Sequence, residues 1–378
     1  MRPSIRIGRL FGIEIGLHYS WLIIAVLILI SLAARFQLTS PQWGPIVIWS
    51  LSAITMVLFF ASILVHELAH AAVARSRGMS VPSITLFALG GVSNIAGESS
   101  SAGSEFWMAL AGPATSFILG LIFLAAARAG DWNSELGPPL TPISAGFWWL
   151  GYINIALALF NMIPGYPLDG GRILRSIVWR ITNSRARATQ IAAGVGQVIA
   201  VVFIFLGLFW FFTGAGFGGL WIAFIGWFLA EAAGSSKAEI QITSALAGVS
   251  VRDLMSKDCL TVDGHLTVRA FADDYLLRTG RRCFLVREGD RQIGLVTTHS
   301  LKQVDRERWP FTSLSQVAIP FDKLRTVSPD TSAQQALETL VRSDVNQLPV
   351  VANGGVVGLI TRGNILEFLH TQEELKAA

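Results

Sequence analysis

The chain has 378 residues, of which 52% are hydrophobic and only 14% are charged. This composition, with a mean hydropathy of +0.54, excludes an ordinary soluble globular protein and indicates an integral membrane protein. The net charge is only +4, and the arginines of the N-terminal part lie between apolar segments, which suits membrane orientation better than nucleic-acid binding. Both cysteines, Cys259 and Cys283, lie in the polar C-terminal third, so we expect no disulfide framework and a reducing compartment there.

Six apolar segments are long enough, or nearly so, to cross a bilayer, since one crossing needs about 20 residues. They cover residues 18–36, 48–74, 106–128, 143–163, 190–212 and 217–234. Tryptophans near the ends of several segments are typical of the membrane interface. An even number of crossings predicts that both chain termini lie on the same side of the membrane.

The arginines predict which side that is. Arginines precede the first segment, follow the second and separate the fourth from the fifth, so all these groups lie on one face of a six-helix arrangement. By the positive-inside rule this face is cytoplasmic, and we expect a multi-pass cell-membrane protein with cytoplasmic termini and a cytoplasmic C-terminal region. The first segment could instead be the apolar core of a signal peptide, although no clear cleavage site follows it.

The C-terminal region contains an internal repeat. After residues 236–243, which we interpret as a linker, two similar units follow each other with a period of about 64 residues, the spacing of Gly294 and Gly358. Each unit has the pattern of a short strand, a helix, two apolar strands around a turn and a closing helix. This layout resembles a tandem pair of CBS domains, a cytosolic α/β module at 244–378 with repeats at about 247–306 and 314–370.

The CBS resemblance implies a candidate nucleotide site. CBS pairs commonly bind adenosine-containing ligands between the repeats, and the family signature matches Thr297 in the first repeat and Thr361 and Asn364 in the second. Neither repeat has the carboxylate that would hold both ribose hydroxyls. Homodimerisation or substrate gating through the module is therefore an equal alternative to binding of an adenine nucleotide.

The second apolar segment contains the sequence HELAH at residues 66–70. On a helix, His66 and His70 lie on one face and can bind one divalent metal ion, while Glu67 can act on a water molecule beside it. Polar contacts within a helix bundle and a proton or ion pathway are the alternatives. Three ionisable groups in one turn are costly in lipid, and pathway residues need not have this spacing. The pattern therefore predicts a hydrolytic zinc site.

A catalytic zinc ion usually has a third protein ligand, and Asp169 is the best candidate. It lies in LFNMIPGYPLDGGRILRS, residues 159–176, where prolines and glycines interrupt the end of the fourth apolar segment. Such an interruption frees the backbone and can turn Asp169 toward the second segment. The alternative is a plain helix-ending turn in which Asp169 pairs with Arg172.

Together these motifs resemble the site-2 protease family of intramembrane zinc metalloproteases, in the subgroup with a C-terminal CBS pair and no inserted PDZ domain. Further matches are GRLFGIEIGLHYSW, LFALGGVSN and EFWMALAGPATS. The resemblance implies one Zn²⁺ per chain bound by His66, His70 and Asp169, with Glu67 as the general base. It also implies that Asn161 holds the scissile carbonyl or its oxyanion.

Two shorter segments complete the membrane part. Residues 80–97 have β-branched residues around Gly90 and Gly91 and no helical period, which predicts a membrane-associated β-hairpin. We hypothesise that one edge of this hairpin pairs with an unwound substrate. Gly112 and Pro113 have a packing interpretation as strong as any functional one, and we assign them no chemistry.

The sequence thus predicts a polytopic α-helical membrane protein with a metalloprotease domain at 1–235 and a cytosolic CBS module. The expected function is zinc-dependent cleavage of transmembrane segments in regulated intramembrane proteolysis. Expected substrates are single-span proteins such as an anti-sigma factor, a transcription-factor precursor or a signal-peptide remnant. Membrane lipid and a second copy of the chain are further expected partners, and nucleic acid is not. The alternative function is a CBS-regulated transporter or channel.

Overall fold

The computed structural model describes residues 5–88, 90–96, 99, 101–130, 141–257, 260–279, 283–289, 291–320, 323–352 and 355–377. Leu89 and Gly97 of the predicted hairpin, and Cys259, lie outside these ranges. The chain divides into two compact units, Met1–Ile240 and Gln241–Ala378.

Six helices that begin in the first unit are long and apolar enough to cross a membrane, which confirms the predicted spans. They are α1 (Ser20–Thr39), α2 (Pro45–Ser76), α3 (Ala102–Gly130), α4 (Pro142–Asn161), α6 (Arg185–Trp210) and α7 (Phe217–Ala245), with a π-helical turn at Phe211–Ala215 between the last two. Prolines begin α2 and α4, where the missing N–H costs nothing.

A seventh helix, α5 (Asp169–Thr182), separates α4 from α6. It is too short and too polar to cross the bilayer, and it begins at Asp169. Its last turn ends at Asn183, which has a left-handed φ of 51°. The segment that supplied arginines for the orientation argument is therefore a structured helix rather than a loop.

The first unit also contains a four-stranded sheet in the order β1-β2-β3-β4. Its strands are β1 (Ile5–Leu10), β2 (Ile13–Leu17), β3 (Ser80–Phe87) and β4 (Gly90–Ala96). The predicted hairpin is present as β3 and β4, but β3 also pairs in parallel with β2. Among the described strands, β4 pairs only with β3, so its outer edge is free.

The sheet packs against the end of α2. Ile13, Ile15 and Ile84 form a buried cluster with Ala71 and Ala74, which follow the HELAH motif on α2. Burial of three isoleucine side chains contributes several kcal/mol, at roughly 1.5–3 kcal/mol each. This cluster fixes the sheet next to the candidate site.

Helix α3 packs closely against α4 through glycines. A Cβ on Gly120 would lie 3.0 Å from the Gly151 carbonyl oxygen, and a Cβ on Gly151 would lie 3.0 Å from the Gly120 oxygen. Small residues let helix backbones approach in this way inside a membrane. Helix α3 also contacts α2 and α5, so it touches both helices that carry the candidate ligands.

The second unit has the predicted CBS layout. Its strands are β5 (Thr261–Asp263), β6 (Cys283–Glu288), β7 (Arg291–Thr297), β8 (Ile319–Pro320), β9 (Gln347–Ala352) and β10 (Gly355–Thr361). Its helices are α8 (Val251–Leu254), α9 (Val268–Phe271), α10 (Leu277–Thr279), α11 (Thr298–Leu301), α12 (Leu314–Val317), α13 (Ala333–Arg342) and α14 (Arg362–Ala377), with a π-helical turn at Ala272–Leu276 and a 3₁₀ turn at Arg306–Arg308. The predicted first strand of the second repeat is only a single bridge between Val327 and Val350.

The two repeats exchange core residues. Leu246 and Val251 lie at the start of the first repeat but pack with Ala333 and Ile360 in the core of the second. In turn, Leu314, which lies at the start of the second repeat, packs in the core of the first. Each repeat therefore contributes side chains to the core of the other.

The segment 236–243, interpreted from the sequence as a linker, is helical and belongs to α7. Lysine, alanine and glutamate in this segment are strong helix formers, which explains why the helix continues beyond the apolar residues.

Candidate metal centre

Helices α2 and α5 bring the three predicted ligands together. The Nε2 atoms of His66 and His70 lie 3.1 Å apart. Asp169 Oδ2 lies 3.3 Å from His66 Nε2 and 3.2 Å from His70 Nε2. All three side chains are buried, with exposed fractions of 5%, 4% and 8%. Three Lewis-basic atoms thus converge on one point inside the first unit.

The donor set and its spacing fit a zinc ion. Two atoms bound to one tetrahedral zinc ion at about 2.0–2.1 Å lie about 3.3 Å from each other, close to the three observed separations. His70 Nδ1 lies 2.6 Å from the Met108 carbonyl oxygen, which can only accept, so Nδ1 carries the proton. In the neutral ring Nε2 then presents its lone pair to the shared point. Two imidazole nitrogens and a carboxylate are a donor set that zinc favours.

The break between α4 and α5 places Asp169. Helix α4 ends at Asn161, and the intervening loop packs on α6, where Tyr166 N–H donates to the Ala192 carbonyl. Gly196 on α6 permits this contact, because a Cβ there would lie 2.2 Å from the Tyr166 oxygen.

The alternative pairing of Asp169 with Arg172 is not what the structure shows. Arg172 Nε donates to Glu105 Oε1 at 3.3 Å, and Arg175 Nη2 donates to the same oxygen. Glu105 lies in the first turn of α3 and is only 1% exposed. Burial lowers the pKa of Arg172, but the carboxylates of Glu105 and Asp169 more than offset this, so the net shift is upward and the guanidinium stays charged.

One stripe of α3 surrounds the ligands without supplying any. It consists of Glu105, Met108, Gly112 and Ser116, which are spaced by three or four residues and therefore share a helix face. Ser116 Oγ lies 2.9 Å from His66 Nδ1, and Met108 accepts from His70. Groups that bond the outer nitrogen of a ligating histidine fix its ring orientation and tautomer.

Gly112 supplies no chemistry, but it packs directly against the two histidine ligands. A Cβ on Gly112 would lie 2.2 Å from His70 Nε2 and 2.5 Å from His66 Nε2. Only glycine leaves room for both imidazoles at this point. The signal in the sequence was the recurrence of polar and small residues on one face of an otherwise apolar helix.

Glu67 lies next to this centre and contacts strand β4. Ser93 Oγ donates to Glu67 Oε2 at 2.6 Å. A Cβ on Gly91 would lie 2.5 Å from Glu67 Cγ, so the strand passes closely over the carboxylate. The predicted general base and the free edge strand of the sheet are therefore neighbours.

Asn161 does not reach the ligands in this structure. Among the described residues its side-chain contact is with its own helix, where Nδ2 donates to the Leu157 carbonyl at 3.0 Å. Its catalytic role stays a prediction. A second asparagine, Asn154, is fully buried and donates to the Leu150 carbonyl, with a longer contact of 3.4 Å to Ser62 on α2.

The predicted nucleotide residues lie at the N-termini of two helices. Thr361 Oγ1 accepts from the Asn364 N–H at 3.0 Å, and Thr297 Oγ1 accepts from the Ser300 N–H at 3.2 Å. Both contacts cap a helix that follows a strand. Nucleotide binding there stays a prediction, as do dimerisation through the module and its cytoplasmic location.

Comparisons with known proteins identify the family. The chain is 38% identical over 373 residues to "Putative zinc metalloprotease Rip3" of Mycobacterium tuberculosis, a match that covers 98% of this chain and 93% of the relative. The model of peptidase family M50 matches residues 54–131 and 140–206. The chain belongs to peptidase family M50. The CBS domain model matches residues 251–307 and 315–371.

Two further proteins are similar to this chain. The Synechocystis protein sll0528, which carries the same description as Rip3, is 36% identical over 98% of this chain and 97% of its own length. A solved structure, "Site-2 Protease from Methanocaldococcus jannaschii", has 27% identity and a TM-score of 0.43, covering 62% of this chain and 94% of that chain. The M50 model, the CBS model and the identity to Rip3 confirm the predicted family and the CBS pair. Membership of a peptidase family favours a membrane metalloprotease over the transporter alternative.

Proposed function

We propose that the protein is a zinc endopeptidase that hydrolyses a peptide bond within the membrane-spanning segment of a single-span protein. The observation that carries this proposal is the convergence of His66, His70 and Asp169 within 3.3 Å of one another. A general-base candidate, Glu67, follows directly on the same helix. The names of the M50 relatives support zinc as the metal.

Each residue of the site would have a separate role. His66, His70 and Asp169 would hold the zinc ion, which when bound lowers the pKa of water to about 7 and polarises the scissile carbonyl. Glu67 takes the proton from the attacking water and gives it to the leaving amine. The Asn161 amide donates to the oxyanion after releasing the Leu157 carbonyl.

A helical substrate must unwind before it can be cut, because an intact helix hides its peptide bonds. The free edge of β4 offers the extended backbone pairing that an unwound segment needs. Ser93 ties β4 to Glu67, so a strand added there lies beside the catalytic residues. We propose that a single-span substrate such as an anti-sigma factor, a transcription-factor precursor or a signal-peptide remnant binds in this way, in regulated intramembrane proteolysis.

Metal analysis tests the proposed function. We expect about one zinc ion per chain in the purified wild type and almost none in the double variant His66→Ala, His70→Ala, since a single remaining ligand binds zinc poorly. His265 lies exposed in the CBS unit, so His265→Ala serves as the control and keeps its zinc. A folded wild type without zinc would contradict the proposal.

Proline substitutions test strand pairing at β4. Val92 and Ile95 have opposite parity along the strand, so their N–H groups point to opposite edges. We expect one of Val92→Pro and Ile95→Pro to fold and bind zinc normally while losing cleavage of a transmembrane substrate, because proline removes a backbone donor. Cleavage is measured on a single-span protein in liposomes. If both variants fold and cleave at the wild-type rate, the edge does not bind the substrate.

A further inference from the structure

A buried carboxylate joins two of the helices at the metal centre. Glu105 is 1% exposed, and its Oε1 accepts from both Arg172 and Arg175. Burying a charge is costly unless it is paired. Replacing a buried ion pair by apolar residues is often neutral or stabilising, so stability alone is a weak reason for such a cluster. The geometry of the cluster gives a better reason for its presence.

Two short chains of contacts lead from Glu105 to the candidate ligands. Arg172 lies three residues after Asp169, one turn further along α5. Met108 lies three residues after Glu105 on α3, and its carbonyl accepts from His70 Nδ1 at 2.6 Å. The Met108 sulfur also lies 3.8 Å from Arg172 Nη2. One carboxylate is thus linked to a ligand on α5 and to a ligand on α2.

Arg172 and Arg175 hold the first two turns of α5. Arg175 lies one further turn along α5, and its guanidinium also lies over the Tyr166 ring at 5.7 Å. Tyr166 belongs to the loop that precedes Asp169. The helix and the loop on either side of Asp169 are therefore both fixed by contacts that end at Glu105.

We propose that Glu105 is a positioning residue of the metal centre: with Arg172 and Arg175, it sets the distance between Asp169 and the two histidines. This inference rests on the proposed zinc site. Outer-sphere partners of this kind typically change metal affinity by about 10–100-fold when they are replaced.

The test compares Glu105→Gln with Glu231→Gln. Glu231 is an exposed carboxylate on α7 and serves as the matched control. We expect Glu105→Gln to weaken zinc binding about 10–100-fold in a chelator competition assay and to change the visible absorption spectrum of the Co²⁺-substituted full-length protein, which reports ligand geometry. The control has the wild-type affinity and spectrum.

Glu105→Gln removes the carboxylate that pairs with two partly buried guanidinium groups and can fail to fold. Arg175→Gln keeps the pair of Glu105 with Arg172, and we expect it to fold, to bind zinc several-fold more weakly and to change the Co²⁺ spectrum in the same direction. Arg175→Lys keeps the charge and restores most of the affinity. Wild-type affinity and spectrum in folded Glu105→Gln, or in Arg175→Gln if the first does not fold, would overturn this inference alone. A wild type without zinc would overturn the proposed function as well.

Discussion

Replacing Glu67 with glutamine is expected to lower peptide cleavage by about 10²–10⁴-fold, the range for loss of a general base. The amide has nearly the shape of the carboxylate, and its oxygen can still accept from Ser93 Oγ, so the contact with β4 is retained. What the amide cannot do is take a proton from water. The zinc content of the variant should equal that of the wild type, because Glu67 is not among the three converging ligands.

The measurement uses purified full-length protein in liposomes with a panel of single-span peptides, and product is followed by mass spectrometry. Glu231→Gln is again the matched control and should cleave at the wild-type rate. Equal product from Glu67→Gln and the wild type would refute the assignment of Glu67 as the base. Loss of zinc in Glu67→Gln would instead show that Glu67 holds the metal.

Replacing Gly112 with alanine is expected to be as damaging as removing a ligand, although it adds only one methyl group. That group would lie within 2.5 Å of Nε2 in both His66 and His70, a distance that requires the rings to move. Displacement of about 1 Å costs about 10²-fold in rate. We expect zinc affinity and cleavage both to fall by at least this factor, while the fold persists because the change is confined to one point.

Gly103 provides the control within the same helix, since a Cβ there would meet no atom within 4 Å. Gly103→Ala should bind zinc and cleave like the wild type. Zinc titration and cleavage of the two variants separate the loss of space at the metal centre from a general effect of alanine in α3. Wild-type zinc affinity in Gly112→Ala would show that the imidazoles are not held where the structure places them.

The features that the sequence predicted are those with a local signal. Hydropathy marks the six spans, the spacing of two histidines marks one helix face, and prolines with glycines mark the break before Asp169. The hairpin of β3 and β4 is likewise local. Strands β1 and β2 escaped prediction because β2 pairs with β3 across two whole helices, and no pattern within residues 5–17 identifies a partner so distant.

The outer contacts of the metal centre were missed for the same reason. Glu105 lies 67 residues from Arg172 and 70 residues from Arg175, and a lone acid at a helix start ordinarily indicates helix-dipole stabilisation. The sequence around Gly112 is typical of a packing glycine, and only the structure shows that it packs against the two imidazoles. The helical structure of segment 236–243 has no strong local signal, because glycine and serine precede it and these residues are poor helix formers.

The stripe on α3 makes the candidate metal centre dependent on helix register as well as on residue identity. Inserting one alanine between Met108 and Gly112 would rotate the two halves of the stripe against each other by about 100°, since an α-helix has 3.6 residues per turn. Every ligand would remain in the sequence, and yet Glu105 and Met108 could no longer face the centre together with Gly112 and Ser116. A homologue with intact HExxH and LDGG motifs and a single insertion or deletion in this stretch is therefore expected to be an inactive member of the family.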